Sequence, residues 1–130
     1  MVGSHPMKIA ITGATGFIGG YLVRGLSRAG HELRVLVRPG REGALEHPPE
    51  RPLEPFTGDL TRPESLKGFL SGANLLVHLA AAHDHKGDQE MQKVNVAGTQ
   101  ALLEEARASA GPNFQIWVVM ATLMLNPPKT

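Results

Sequence analysis

Apolar positions along the chain fall into two patterns: short, nearly unbroken apolar runs, and longer stretches with apolar residues three or four apart. Met7 to Thr12 (MKIAIT) is a run of the first kind, and its length and β-branched content predict a buried strand. Gly16 to Ala29 predicts a helix, with Ile18, Leu22 and Leu26 forming one apolar stripe and Tyr21 packing beside it. Gly30 sits where a left-handed cap residue is expected. Leu33 to Val37 (LRVLV) predicts the second strand. The stretch Arg38 to Pro55 has prolines at 39, 48, 49, 52 and 55 and no period, so it reads as a loop or degenerate helix, with a short third strand near Leu53 to Thr57. Thr61 to Ser71 predicts a helix with Thr61 or Arg62 near its start and Pro63 in its first turn. Asn74 to Ala80 (NLLVHLA) is the fourth strand, with His78 a packed core histidine. Gln89 to Ala108 predicts a long helix ending before Gly111. Its core side is Leu102, Leu103 and Ala106, and Glu104, Glu105 and Arg107 form a solvated face. Phe114 to Ala121 (FQIWVVMA) is the fifth strand.

Strands alternating with helices imply βαβ units and a parallel sheet, and the nearly all-apolar fourth strand is as expected inside a parallel sheet covered on both faces. Right-handed crossovers then favour an α/β, doubly wound sheet of order 3-2-1-4-5. Residues 7–122 form one incomplete domain of this kind, truncated after its fifth strand. Residues 1–6 are an extension or tag remnant, and residues 123–130 a divergent tail.

Thr12-Gly13-Ala14-Thr15-Gly16-Phe17-Ile18-Gly19 joins the first strand to the first helix. Gly13 permits the tight turn, Gly16 lets backbone approach a pyrophosphate, and Gly19 lets the helix pack closely on the sheet. The helix N-terminus adds free N–H groups and a positive dipole end. A glycine-rich turn alone is weak evidence; the strand before it and the amphipathic helix after it make it a nucleotide-binding turn. The spacing is G-x-x-G-x-x-G, and no Lys-Ser/Thr follows, which excludes the P-loop of ATP- and GTP-binding proteins. The architecture is thus a partial Rossmann fold.

TGATGFIG resembles the cofactor turn of the extended and atypical short-chain dehydrogenases/reductases, the group that includes nucleotide-sugar epimerases, dehydratases and dihydroflavonol-type reductases. Four further segments resemble that family in order and spacing: Gly30 to Arg38 (GHELRVLVR), Gly58-Asp59-Leu60, Val77-His78-Leu79-Ala80-Ala81 and Asn95-Val96-Ala97-Gly98-Thr99. Together they span about residues 7 to 111. The resemblance implies a dinucleotide held by Gly13, Ala14, Thr15, Gly16, Phe17 and Ile18 at the turn, by Asp59 and Leu60 near the adenine, and by Leu79, Ala80 and Ala81 along the ribose. It gives Asn95 a structural role. Asp59 has an alternative reading as a helix-capping carboxylate, and the two alanines as close packing. An acidic residue about 20 positions after the glycines would bind a ribose 2′-hydroxyl. Arg38 stands there instead, with Arg41 nearby, and a guanidinium suits a 2′-phosphate. NADP(H) is therefore favoured, with NAD(H) possible; the alternative is that Arg38 is a solvated loop arginine.

The family's chemistry uses a Ser or Thr, a Tyr, and a Lys four residues after the Tyr. The sole tyrosine is Tyr21, and no Tyr-x-x-x-Lys occurs. Thr122 is the one hydroxyl at the right place after the fifth strand, and a weak candidate for catalysis. The chain thus reads as the NAD(P)-binding part of an oxidoreductase or epimerase/dehydratase acting on a carbonyl or alcohol, inactive alone. The alternatives are a non-catalytic dinucleotide-binding regulatory module and a truncated, non-functional product. A small-molecule substrate is expected only for a complete parent protein. The unpaired fifth strand is an apolar edge that invites self-association.

Composition narrows the classes further. A net charge of +1 gives no field to gather nucleic acid or anionic lipid, so neither a nucleic acid nor a membrane is expected as partner. No apolar run approaches the roughly 20 residues of a spanning helix. The absence of cysteine excludes disulfides and thiolate metal sites, and fits a cytoplasmic location. His83, Asp84, His85 and Asp88 have a metal-like spacing but lie in a Gly- and Lys-containing loop, so no metal is expected.

Overall fold

The computed structural model describes residues 6–14, 17–44, 53–79 and 96–118. Among the described residues five parallel strands form one sheet: β1 (Lys8–Thr12), β2 (Glu32–Val37), β3 (Leu53–Thr57), β4 (Leu75–His78) and β5 (Gln115–Val118). Their spatial order is β3-β2-β1-β4-β5, the doubly wound order the sequence predicts. The first crossover runs through α1 (Phe17–Arg28), and α2 (Gly98–Ser109) precedes β5. No helix among the described residues is long and apolar enough to cross a membrane.

The apolar runs divide residue by residue between two faces, because successive strand side chains point opposite ways. On one face Ile9, Ile11, Leu33, Val35, Val37, Leu75 and Val77 pack with Val23 of α1, flanked by Leu22 and Leu26. On the other, Ala10, Leu36 and Leu76 pack with Leu60, Leu66, Phe69 and Leu70 and with Ala101 and Leu102 of α2. Gly30 has φ 96°, and the His31 N–H donates to the Leu26 carbonyl, closing α1 as a left-handed cap does.

Four local expectations are corrected. The helix predicted over Thr61 to Ser71 is a single 3₁₀ turn, Pro63–Leu66, followed by turns. Gly68 (φ 88°) and Gly72 (φ 74°) take left-handed backbone that no helix continues through. Ser65 Oγ also donates to the Asp59 and Arg62 carbonyls, a side-chain alternative to helical bonding. Tyr21 is 61% exposed, and the Arg24 guanidinium lies 5.1 Å from its ring centre. The buried line of α1 runs Gly19, Val23, Ser27, and Tyr21 lies two helical steps, about 200°, off Gly19. Leu103 is 46% exposed, one helical step beyond buried Leu102. Glu105 is engaged rather than free: its Oε2 accepts from the Gly68 N–H (2.8 Å) and from Ser109 Oγ (2.7 Å).

A buried cation crosses the second face. Arg34, 8% exposed in the middle of β2, donates from Nη1 to the carbonyls of Phe69 (2.8 Å) and Ser71 (2.8 Å) and at longer range to Gly68 (3.4 Å). Its Nε donates to Glu54 Oε1 on β3 (3.2 Å), its register partner. Arg34 and Glu105 thus hold the turn 67–72 from the sheet side and from α2.

Candidate functional site

The topology brings four segments to one edge. The strands are parallel, so the residues that follow β1, β2, β3 and β4 emerge together: Gly13, Arg38, Gly58-Asp59 and Leu79. The chain winds outward from β1 to β3 and then returns to place β4 against β1, so connections diverge between β1 and β4. Ligands of open α/β sheets bind in the crevice outside the strands' carboxyl ends at such a point.

Gly13 has φ 81°, the left-handed turn for which a glycine is suited. A methyl group at Gly19 would lie 2.0 Å from the Gly13 carbonyl oxygen and 2.7 Å from Ala14 Cα. The first turn of α1 is therefore seated directly on the backbone leaving β1, and Ala14 is buried beneath it. Phe17 and Ile18 open α1. Thr15, Gly16, Ala80, Ala81, Asn95 and Thr122 lie outside the described residues, as do the 83–88 histidine and aspartate cluster and both chain ends. Among the described residues no group of His, Asp or Glu could hold a metal ion.

Arg38 is exposed just past β2, and Asp59 lies two residues past β3; the Gly58 N–H donates to the Val37 carbonyl, joining the two strand ends (2.9 Å). Asp59 Oδ1 accepts from the Thr61 N–H (2.9 Å) and from Thr61 Oγ1 (2.8 Å), an Asx turn. These two bonds hold its carboxyl below the usual carboxylate range, and the charges of Arg38 and Arg62 act in the same direction. The capping reading of Asp59 is not met: its carboxylate closes the turn at Thr61, and the 3₁₀ turn Pro63–Leu66 has Arg62 at its N-cap with no side-chain cap bond. Leu60 points into the core, where a methyl at Gly98 would come 3.1 Å from its Cβ. That close approach accounts for the glycine of the Asn95–Thr99 segment. Leu79 is half-buried against the α1-side core.

His78 does more than pack. Thr12 and His78, the last residues of β1 and β4, are register partners, 0% and 4% exposed. Thr12 Oγ1 lies 2.6 Å from His78 Nδ1 and accepts from the Leu79 N–H (3.0 Å). The other ring nitrogen, Nε2, lies 3.2 Å from Thr99 Oγ1 on α2. The sequence carried only one sign of this, a single histidine in an apolar strand. Its partners are 66 and 21 residues away.

Burial pushes the His78 pKa below its ordinary 6.5. As pH falls through about 6.5 the unfolded ring takes a proton before the folded one, so this group's contribution to stability declines below that point. The stability advantage of wild type over His78→Asn should be largest above pH 7 and shrink toward pH 5, measured by denaturant melts. A difference independent of pH would refute the neutral buried ring.

Comparison with known proteins agrees with this geometry. The model of the NAD dependent epimerase/dehydratase family matches residues 9–122. The chain is 39% identical over 122 residues to a ceramide reductase of Caulobacter vibrioides, covering 92% of this chain and 36% of that protein. A short-chain dehydrogenase/reductase superfamily protein from Agrobacterium tumefaciens, solved with bound NAD, has a TM-score of 0.62 and 28% identity over 79% of this chain and 30% of its own. Gre2 of Candida albicans in complex with NADPH has a TM-score of 0.72 over 87% of this chain and 36% of its own; at 21% identity it shows the shared fold alone. The chain spans roughly a third of the length of the curated relatives it matches. The shared part is a nicotinamide-dinucleotide-binding domain. A family match across most of the chain, on a fold whose glycine turn meets the sheet at its switch point, makes this protein a member of the NAD-dependent epimerase/dehydratase family.

Proposed function

We propose that this chain is the cofactor-binding part of an NADP(H)-linked oxidoreductase or epimerase/dehydratase acting on a carbonyl or alcohol. The observation that carries the reading is the seating of α1 on the Gly13 turn, with 2.0 Å between a notional Gly19 methyl and the Gly13 oxygen. Such a contact keeps side chains out of the turn and aims a helix N-terminus at the crevice, which suits a pyrophosphate. In this reading Gly13, Ala14, Thr15, Gly16, Phe17 and Ile18 bind the pyrophosphate, Asp59 and the backbone of Leu60 flank the adenine, and Leu79, Ala80 and Ala81 line the ribose. The bound cofactor would supply the hydride chemistry. The chain alone is expected to give no turnover, because its one tyrosine, Tyr21, is followed four residues on by Gly25 rather than by lysine.

Arg38 is the residue proposed to select NADP(H). Its guanidinium is exposed just past β2, its charge helps to lower the Asp59 carboxyl, and a 2′-phosphate could pair with it. A charge-assisted contact of this kind is worth about 1.5–3 kcal/mol. By calorimetric titration, Arg38→Ala should therefore weaken NADPH binding by roughly 10- to 100-fold while changing NADH binding less than about threefold. Equal losses for both cofactors would reject the assignment, and no binding of either by the wild-type chain would reject the cofactor reading itself.

A further inference from the structure

We infer that His78 is a positioning residue: bonded at both ring nitrogens, it ties the β1 and β4 ends, where the dinucleotide would lie, to the start of α2. The inference rests on the cofactor-binding reading above and deepens it.

The ring occupies a single point where three elements meet. Nδ1 faces Thr12, the residue immediately before the glycine turn, and Thr12 Oγ1 also takes the N–H of Leu79, the first residue beyond β4. Nε2 faces Thr99, one residue past Gly98, where α2 presses on Leu60. All three side chains lie on the α2 face of the sheet, and the ring is 4% exposed, so water cannot replace a lost partner at low cost. A ring that bonds at one nitrogen only would fix the strand pair and leave α2 to packing. Bonding at both makes the spacing of the β1 and β4 ends depend on the position of α2. The switch-point crevice lies between those two strand ends, so a change of a few tenths of an ångström there falls on the cofactor. A neutral imidazole suits the task, since it offers one donor and one acceptor to two hydroxyls that can each answer either.

The test is a set of binding titrations on the full chain with NADPH, run well below the melting temperature of every variant. His78→Leu removes both bonds and should weaken binding roughly tenfold. Thr99→Val removes only the α2 bond and should weaken it about threefold. His78→Asn keeps a rotatable amide for Thr12 but is too short for Thr99, so it should match Thr99→Val, and adding Thr99→Val to it should change nothing further. That non-additivity is the signature of one two-ended link. In a ¹⁵N-labelled wild-type chain the His78 ring resonances should shift on NADPH addition. If His78→Leu does not fold, the His78→Asn and Thr99→Val pair decides the matter by itself. Fully additive losses, binding within twofold of wild type in all variants, or unmoved ring resonances would overturn the inference. Failure of the wild-type chain to bind any dinucleotide would instead overturn the reading beneath it.

Discussion

Gly19→Ala should lower the melting temperature by roughly 10 °C and reduce dinucleotide binding at least tenfold. The added methyl would sit 2.0 Å from the Gly13 oxygen, 2.7 Å from Ala14 Cα and 2.9 Å from the Gly13 carbonyl carbon. All three obstacles are backbone, so no side chain can rotate out of the way. The first turn of α1 must instead back off the strand end by an ångström or more. Overpacking typically costs about 1–3 kcal/mol, and a backbone obstacle belongs at the upper end. For a domain of this size each kcal/mol moves the melting temperature by about 3–5 °C. The binding loss follows from the same displacement, because the N–H groups of α1 move with its first turn. Gly20→Ala is the control: its added methyl meets nothing within 4 Å, and a helix interior gains about 0.5–1 kcal/mol from the exchange. A Gly19→Ala protein that melts within 2 °C of wild type would show that α1 is not seated on the turn.

That contact was legible in the sequence because it is local: five residues separate Gly13 from Gly19, and a strand and a helix on either side fix their relation. The strands were legible for a similar reason. The apolar runs of β1, β2 and β4 are buried and read the same whatever packs on them, and β3 has the predicted bounds, Leu53–Thr57, although it is a partly exposed edge strand with Pro55 inside it. What escaped depends on distant partners. His78 looked like a core residue because Thr12 and Thr99 are neighbours only once β4 returns beside β1. The stretch after Asp59 looked helical because its composition permits a helix; the φ of Gly68 and Gly72 and the grip of Arg34 and Glu105 decide otherwise. Tyr21 faces away because the buried line of α1 is Gly19, Val23 and Ser27, with the predicted Leu22 and Leu26 packed at its flank.

Arg34 accounts for the second large effect, and Arg34→Leu should destabilise the fold by about 3 kcal/mol, or roughly 10 °C. Leucine fits the apolar surroundings, so the loss would come from polar groups rather than from volume. The Phe69 and Ser71 carbonyls lose their 2.8 Å partner, and Glu54 Oε1 loses its ion pair. The ion pair contributes little, since the Glu54 side chain is 57% exposed and screened by water. The Phe69 carbonyl, whose bond is buried, decides most of the magnitude, because a buried acceptor left unpaired costs about 1–3 kcal/mol, and the part-buried Ser71 carbonyl adds less. Glu54→Ala should therefore cost less than 1 kcal/mol, and that asymmetry separates the two contributions. Arg34→Lys should fall between, since one ammonium can reach a carbonyl but cannot span the turn and β3 together. The damage should also spread in one direction. The turn 67–72 is gripped by Glu105 from α2 as well, so its amide hydrogens, with those of the last turns of α2, should exchange faster in Arg34→Leu, while α1 on the opposite face keeps its protection. Equal loss of protection on both faces would mean that Arg34 supports the sheet as a whole, and not the one turn that carries the chain from Asp59 toward the switch point.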